Sequence, residues 1–444
     1  MPGQPVGAPL SSADRALVVA VLIVAVLVRL VALWQLGPGL RNDPDAYSVI
    51  ARNLVSGRGY SLSQGPDPAV PTAYRPPLFP CLLAVIRSAC GGNEGQIAWV
   101  LGGIQLVSGS LTVLLTLGIG RYLGLSRAGI WAGLIVALDP LLVYSTTQVM
   151  TETTATFFTA LTFWFAMRGT RVRDRLAAGV SFGFCCLCRP TFWAFGGLVF
   201  MAWLWKRWRA GDLVCPDVRS RTWRGATAFA VATALVVLPW VVRNQIVMGR
   251  PILTTTHGGY TLLLGHNPFY AEAVADKPWG TVWDSARDAR WTGWIETELM
   301  AAGIPLERVS PDAELARDRW MTSQGWDYVK SNPGESLRCS LTLLGRMWNV
   351  TPFATKDRAL PAWTRRAIGG FYLVVFAALA VGLWGFWRES PRRWWPLVLL
   401  IASFSAVHTL YWADMRMRAP LVPAIALIAA RGVRLVAARM KDEG

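Results

Sequence analysis

Long uninterrupted apolar runs constrain this chain more than any other feature. A helix that crosses the hydrocarbon core of a bilayer needs about 20 consecutive apolar residues, and several runs here come near that length. Composition agrees, because only 16% of the 444 residues are charged, whereas a soluble domain carries roughly 25%. The sequence therefore excludes a soluble globular protein and predicts an all-α, polytopic membrane protein.

About ten membrane helices are predicted from hydropathy. The first is not a signal peptide, because it is too long, contains Arg29 and lacks a small-residue cleavage site. Residues 78–89 are apolar but too few to span, so we expect an interfacial or re-entrant helix there. The predicted membrane helices cover residues 15–36, 97–119, 128–147, 152–167, 176–188, 191–205, 225–245, 367–387, 394–411 and 417–436.

The distribution of charge predicts the orientation. The net charge is +17, yet residues 246–365 hold 13 Lys/Arg and 13 Asp/Glu, so the basic excess lies elsewhere. Most of it falls in short loops between alternate apolar runs, which the positive-inside rule assigns to the cytoplasm. Four arginines in residues 37–77 oppose this assignment and are outnumbered. No soluble part carries a basic stripe with interleaved aromatics, so nucleic-acid binding is not expected.

Three regions follow from this orientation. Residues 1–245 are predicted to form an N-terminal membrane domain whose first outer loop, residues 37–96, carries the candidate catalytic residues. Residues 246–366 are predicted to form an outer, extracytoplasmic segment, and residues 367–444 the last membrane helices and a cytoplasmic tail. The protein is thus predicted to be a multi-pass protein of the plasma (inner) membrane, with its polar motifs gathered on the extracytoplasmic face.

Three acidic residues near predicted helix ends are candidates for acid–base chemistry. Asp43 and Asp45 follow the first membrane helix, where a carboxylate reaches a head group while staying near water. The structural alternative is a solvated loop, or Asp45 capping the helix that begins near Tyr47. Glu152 opens the fourth predicted membrane helix, where the helix dipole alone also favours an acidic residue.

Two arginines at the ends of apolar runs are candidates for binding phosphate. Arg189 lies in Cys-Arg-Pro-Thr, and Arg243 lies at the outer end of the seventh predicted helix. A guanidinium at the membrane surface suits two-point contact with a phosphate, while snorkelling to lipid head groups is the alternative. His257 and His266 follow in glycine-containing loops, which favours close approach to a ligand, but three histidines in the whole chain argue against a metal site.

Short motifs occur in a specific order along the chain. They are Asp-x-x-x-Tyr from Asp43, Gly-x-Gly-Tyr, Arg-Pro-Pro-Leu, Thr-Glu, Arg-Pro-Thr, Pro-Trp-x-x-Arg-Asn, Gly-Gly-Tyr, Gly-x-Asn-Pro and Asp414-x-Arg416-x-Arg418-x-Pro420. Together they resemble the C-type (GT-C) glycosyltransferase superfamily, above all bacterial relatives of protein O-mannosyltransferases and of the aminoarabinose transferases that act on lipid A. The resemblance covers about residues 15–436. One departure is Pro44-Asp45, where those relatives usually show Asp-Glu, and it leaves the choice between Asp43 and Asp45 open.

The resemblance implies an inverting glycosyltransferase that moves a hexose or pentose from a polyprenyl-phosphate donor to a glycan, lipid or protein acceptor outside the cytoplasm. It implies that Asp43 is the base, that Asp45 or Glu152 orients the acceptor, and that Arg189, Arg243 or Arg75 holds the donor phosphate. Some relatives use a divalent ion, but the sequence shows no metal-binding cluster beyond these acidic residues. Further substrate contacts are expected from Tyr47, Tyr74, His257, His266, Asn267, Asp414 and Arg416.

A transporter or flippase for lipid-linked sugars is the alternative from another class of protein. Such proteins often show paired repeats with broken helices at matching positions. The sequence has no internal symmetry of this kind, and its polar residues cluster toward one face instead of the membrane midplane. A structural assembly factor without chemistry is a third hypothesis, which the convergence of acidic residues and arginines on one side disfavours.

Overall fold

The structure, a computed structural model, describes residues 11–65, 68–125, 127–169, 171–209, 216–353, 360–389 and 393–442. Helices make up the regular secondary structure of these ranges, apart from a single antiparallel bridge between Ser61 and Pro71. The predicted all-α fold is confirmed.

The N-terminal half of the chain alternates long apolar helices with short ones. The first outer loop contributes two short helices, α2 (Tyr47–Val55) and α3 (Leu78–Ala89). It also contains a 3-10 helix (Gly37–Arg41) that directly follows α1 (Ser12–Leu36). The bounds are α1 Ser12–Leu36, α2 Tyr47–Val55, α3 Leu78–Ala89, α4 Glu94–Tyr122, α5 Ala128–Leu138, α6 Pro140–Ser145, α7 Glu152–Arg168, α8 Val172–Cys188, α9 Thr191–Arg209 and α10 Pro216–Met248.

The outer segment is helical as well, and three helices follow it. The outer helices are α11 Gly258–Gly265, α12 Pro268–Tyr270, a π-helical turn Ala271–Ala275, α13 Ala289–Ala301, α14 Pro311–Ser331 and α15 Pro333–Met347. The C-terminal elements are α16 Ala362–Glu389, α17 Trp395–Val407, a 3-10 helix Met415–Leu421 and α18 Val422–Asp442.

Within the described residues, five stretches are long and apolar enough to cross a bilayer. They are Ser12–Arg41, Glu94–Tyr122, Trp223–Met248, Ala362–Phe386 and Met415–Met440, and each overlaps a predicted membrane helix. The other predicted membrane helices are shorter or more polar. The interfacial helix α3 has the predicted bounds, and its 12 residues pack against α2 and α4, with Phe79, Leu83 and Ile86 buried.

The third predicted membrane helix is broken into α5 and α6 because Pro140 follows Asp139. A proline inside a helix removes one hydrogen bond and clashes with the preceding turn. Fully buried Arg29 compensates by donating to the carbonyls of Val136 (3.3 Å) and Ala137 (3.1 Å) at the end of α5. Asp139 accepts a hydrogen bond from the backbone N of Leu142 in α6 (3.0 Å). Both charged side chains therefore have a structural role at the break.

Contacts between distant segments define two ends of the helix bundle. At one end, Arg127 pairs with Asp14 at the start of α1 (3.2 Å), and Arg434 of α18 donates to the carbonyl of Gly124 (2.8 Å). At the opposite end, α1 leads into the first outer loop, and α7 begins at Glu152. We call this second end the site end, because the candidate residues of the sequence analysis lie there.

We expect the site end to face away from the cytoplasm, since the basic loops between helices lie at the other end. Gln64 and Ala286 are exposed on the site side, and Val172 is exposed at the start of α8. In a variant without native cysteines, an impermeant thiol reagent should label Gln64→Cys and Ala286→Cys in intact cells but label Val172→Cys only after lysis. Labelling of Val172→Cys in intact cells would reverse the orientation.

Three other positions serve less well as labelling probes. Ser61 is fully buried, and the hydroxyl of Thr281 is hydrogen-bonded to the carbonyl of Pro278. Gly211, a natural choice for the cytoplasmic side from the sequence, lies outside the described residues.

Candidate active site

The first outer loop begins with a strained turn that holds the two aspartates in different settings. Ala46 has a φ angle of 61°, a left-handed conformation that costs a residue with a Cβ about 1–2 kcal/mol. Asp43 Oδ2 accepts a hydrogen bond from the backbone N of Ser48, and Arg75 Nε donates to the carbonyl of Asp45 (2.8 Å). Strain of this kind persists only where the surroundings enforce it, and it clusters at functional sites.

Asp45 lies between two arginines from distant parts of the chain. Arg75 Nη2 lies 3.0 Å from Oδ1 of Asp45, and Arg416 Nη1 lies 3.8 Å from Oδ2. Arg416 belongs to the 3-10 helix before α18 and also pairs with Asp414, whose Oδ2 lies 3.0 Å from its Nε. This network joins the first outer loop to the 3-10 helix before α18.

Arg189 and Glu152 form a second ion pair at the site end. Arg189 lies between α8 and α9 in extended conformation, where Pro190 interrupts the helix. Its Nη2 lies 2.7 Å from Oε1 of Glu152, which is only 2% exposed at the start of α7. Its Nε donates to Thr151 Oγ1 (3.2 Å), and its Nη1 contacts the sulfur of Met417 (3.4 Å). Arg189 thereby links the helix break to the turn that carries Arg416.

Two carboxylate oxygens at the site end are buried without a hydrogen-bond donor among the described residues. They are Oδ1 of Asp43 and Oε2 of Glu152. A buried acceptor without a donor costs about 1–3 kcal/mol, so most native structures avoid it. In both residues the other oxygen is bound, Oδ2 of Asp43 by the N-terminus of α2 and Oε1 of Glu152 by Arg189. Each carboxylate is therefore held through one oxygen, and its other oxygen can accept a hydrogen bond from a substrate hydroxyl.

Arg243 has a structural setting. Its Nη1 donates to the carbonyl of Thr72 (2.8 Å) and to Oδ1 of Asn244 (2.9 Å), and its Nη2 donates to the carbonyl of Tyr60 (3.2 Å). The rings of Tyr60 and Trp240 lie 5.4 Å and 5.1 Å from its Cζ. Arg243 thus attaches the first outer loop to α10.

An aromatic cluster adjoins the Arg75–Asp45 pair. Tyr74 meets the ring of His257 edge-on at 4.3 Å, and His257 stacks on Tyr260 at 5.2 Å. Burial, and then the charges of Arg75 and Arg308, hold the pKa of His257 well below its usual range, so this imidazole is neutral. Arg75 Nη1 lies 3.4 Å from Nε2 of His257, which places the ring beside the ion network.

Other predicted substrate contacts lie deeper. Tyr47 packs edge-on against Phe79 at 5.2 Å and is 6% exposed. His266 and Asn267 are fully buried. The His266 ring bonds to the carbonyl of Thr409 (3.2 Å), and Asn267 Nδ2 donates to the carbonyl of Leu263 (2.7 Å). These bonds give His266 and Asn267 a role in holding the outer helices, so we leave both out of the proposed substrate contacts.

Glu314 is an important residue that sequence reasoning missed. This buried carboxylate of α14 accepts hydrogen bonds from the hydroxyls of Thr72 (2.5 Å) and Thr256 (2.5 Å) and from the backbone N of Ala73 (2.9 Å). Its sequence context is that of an ordinary helix start, and its partners lie far away in the chain. Only the folded chain shows that the outer segment is attached to the first outer loop at this point.

Acidic residues at the site end pair with arginines, and those that the structure describes do not gather into a metal-binding group. Among the described residues, no group of three or more His, Cys, Asp and Glu side chains has an arrangement that could hold a metal ion. Asp45, Asp414 and Glu152 are instead paired with arginines.

Comparison with solved structures identifies the fold. The oligosaccharyltransferase AglB from Archaeoglobus fulgidus, solved with an inhibitory peptide and a dolichol-phosphate, matches 97% of this chain and 51% of its own length, with TM-score 0.55 and 14% identity. A second structure from that organism, tethered to an acceptor peptide with an NVT sequon, covers 96% of this chain and 49% of its own, with TM-score 0.54 and 17% identity. The chain thus spans about half the length of these proteins.

ArnT from Cupriavidus metallidurans in the apo state covers 95% of this chain and 78% of its own length, with TM-score 0.41 and 16% identity. No curated protein sequence matches the chain.

The chain shares its fold with these archaeal oligosaccharyltransferase structures. Residues 74–241 match the family described as dolichyl-phosphate-mannose-protein mannosyltransferase. The matched stretch begins at Tyr74 beside the aromatic cluster and includes both members of the Arg189–Glu152 pair. The resemblance found from the sequence is confirmed.

Removal of the Glu314 carboxylate should loosen the outer segment. Glu314→Ala leaves two hydroxyls and one backbone N–H without their acceptor, and each such group costs about 1–3 kcal/mol. We expect a loss of at least about 2 kcal/mol and faster proteolysis within residues 246–353, measured by thermal unfolding and limited digestion in detergent. Glu314→Gln keeps the size and one acceptor, so its loss should be smaller.

The matched control is Glu296→Ala, which removes an exposed carboxylate of α13. If Glu314→Ala and Glu296→Ala melt and digest alike, Glu314 does not hold the outer segment in place.

Proposed function

We propose that this protein is an inverting glycosyltransferase that moves a sugar from a polyprenyl-phosphate donor to an acceptor hydroxyl or amine on the extracytoplasmic face of the plasma membrane. The observation that carries the proposal is Oδ1 of Asp43, which is buried without a donor among the described residues and lies at the same end of the helix bundle as the ion pairs of Arg75, Arg416 and Arg189. The family match over residues 74–241 and the dolichol-phosphate named in the archaeal structure support a lipid-phosphate donor.

Asp43 is the proposed base. Its Oδ2 accepts a hydrogen bond from the backbone N of Ser48 at the N-terminus of α2, while Oδ1 has no donor among the described residues. In the proposed reaction, Oδ1 takes the proton of the acceptor as the acceptor atom bonds to the anomeric carbon. The bond between that carbon and the phosphate oxygen breaks on the opposite face, and the phosphate leaves with the electron pair. Inversion at the anomeric carbon follows from this geometry.

Arg189, Arg416 and Arg75 are the proposed contacts to the donor phosphate. A guanidinium has five N–H donors, and each of these arginines has N–H groups without a partner among the described residues. Cations held in place at the leaving phosphate stabilise the charge that returns to it, most strongly where water is excluded. Arg243 had the same expected role, but its bonds to the carbonyls of Tyr60 and Thr72 favour positioning the loop.

Glu152 and Asp45 are proposed to position other groups. Glu152 holds Arg189 and keeps Oε2 available, so it is suited to orient the acceptor. Asp45 pairs with Arg75 and Arg416 and thereby orients two of the proposed phosphate ligands. The acceptor is a glycan, a lipid or a protein, and the transferred sugar is a hexose or a pentose.

Asp43→Asn should nearly abolish transfer. A general base contributes about 10²–10⁴-fold, and an asparagine keeps the size of the side chain and its acceptor for the Ser48 N–H. Expression, membrane insertion and donor binding should therefore survive. Transfer is measured with purified protein in lipid, a panel of radiolabelled polyprenyl-phosphate sugars and matched protein levels.

Asp45→Asn is the paired variant, and it should reduce transfer less, because it weakens the contacts of Arg75 and Arg416 without removing the base. If Asp43→Asn keeps wild-type activity and Asp45→Asn loses it, the base is Asp45. Full activity in both variants would remove the main chemical support for a transferase.

A second pair of variants separates phosphate binding from support of the loop. Arg189→Lys keeps the charge but loses the planar two-point contact, so donor Kd should rise about tenfold or more without a large change in Tm. Arg243→Lys should lower Tm and leave the Kd of the folded protein near wild type. Both are measured by binding of radiolabelled polyprenyl phosphate in nanodiscs and by thermal unfolding. The opposite pattern would return the phosphate role to Arg243.

A further inference from the structure

The loop between α13 and α14, residues 302–310, brings an arginine onto the candidate site. Arg308 Cζ lies 3.5 Å from the centroid of the Tyr74 ring. The same ring contacts His257, and the next residue along the chain is Arg75, which pairs with Asp45. Only the Tyr74 ring therefore separates Arg308, which belongs to the outer segment, from the ion pair of Arg75 and Asp45.

Arg317 in α14 places a second cation beside this loop. Its Nη1 donates to the carbonyl of Leu306 (2.6 Å), which holds the loop against α14. Burial, and then the nearby charge of Arg308, lower the pKa of Arg317. Arg317 thus fixes the loop two residues before Arg308, so both cations belong to the same part of the outer segment.

These two arginines have no acidic partner in the described structure. Neither Arg308 nor Arg317 lies within ion-pair distance of a carboxylate of any described residue. By contrast, the more exposed Arg290 and Arg338 of the same segment pair with Glu272 and Asp276. Neighbouring cations repel each other, and an anion bound between them relieves this repulsion.

We propose that Arg308 and Arg317 form a subsite for an acidic group, a phosphate or a carboxylate, on a saccharide acceptor. Planar guanidinium groups with several N–H donors suit both anions. The subsite belongs to the acceptor side because it comes from the outer segment, whereas Arg189 and Arg416 come from the ends of membrane helices. Stacking on Tyr74 holds Arg308 at a defined place beside the proposed reaction centre. The assignment to an acceptor rests on the proposed transferase function.

The test compares three sugars that differ in one group: glucose 6-phosphate, glucuronate and glucose. Full-length protein in nanodiscs of neutral lipid should bind the two acidic sugars at least about tenfold more tightly than glucose, as expected for a charge-assisted contact. Arg308→Ala should abolish the difference. Arg308→Lys should keep part of it, because the charge remains while the planar stack is lost. Arg319→Ala, which removes an exposed charge from α14, should bind like the wild type.

Two outcomes overturn the subsite. One is an Arg308→Ala variant that binds the acidic sugars as the wild type does. The other is a wild type that loses this binding when anionic phospholipid replaces neutral lipid in the nanodisc, since the arginines would then serve lipid head groups.

The transferase is tested separately from the subsite, by transfer from radiolabelled polyprenyl-phosphate sugars. If binding of acidic sugars depends on Arg308 but no sugar is transferred, the subsite stands and the proposed function fails. If transfer occurs and the acidic sugars bind no better than glucose, the transferase stands and the subsite fails.

Discussion

Charges near the bilayer core must find partners within the chain itself, and this requirement shapes the whole molecule. Arg29, Arg418 and Arg431 are buried, and each donates to backbone carbonyls of another segment. For Arg29 and Arg418 these carbonyls lie at the C-terminal ends of α5 and α15, where the helix dipole also favours a cation. Arg29 meets carbonyls of α5 just before the proline that breaks the third membrane helix. The buried arginine thus satisfies carbonyls that the interrupted helix leaves without a partner, and these carbonyls in turn stabilise its charge. This exchange allows α5 to end inside the bundle.

The same rule acts at the site end, with carboxylates in place of carbonyls. Arg75, Arg189 and Arg416 come from the first outer loop, the α8–α9 break and the 3-10 helix before α18, and each pairs with an acidic side chain. Burying an unpaired charge is unfavourable, and pairing offsets this cost while it fixes the positions of both side chains. It also means that the geometry of the site depends on how these three segments pack, so changes far from Asp43 can alter it.

Much of the fold could be predicted from sequence because hydropathy and helix breaks are local properties. The bounds of α3 follow from an apolar run between Pro77 and two glycines, and Arg189 was recognisable beside a proline. What could not be predicted is which distant groups lie opposite each other. Arg243 was placed at the outer end of its helix, yet its carbonyl partners lie more than 170 residues earlier. Glu314 and Arg308 were missed for the same reason.

The choice between Asp43 and Asp45, which the Pro44-Asp45 departure left open, now has a physical argument. Both oxygens of Asp45 face arginines, so this carboxylate is already engaged in holding the two guanidinium groups. Asp43 is held through one oxygen by a backbone N–H, and the other is buried without a donor among the described residues. An oxygen without a donor gains a hydrogen bond when an acceptor hydroxyl arrives. These different surroundings favour Asp43 as the base and Asp45 as the residue that orients the arginines.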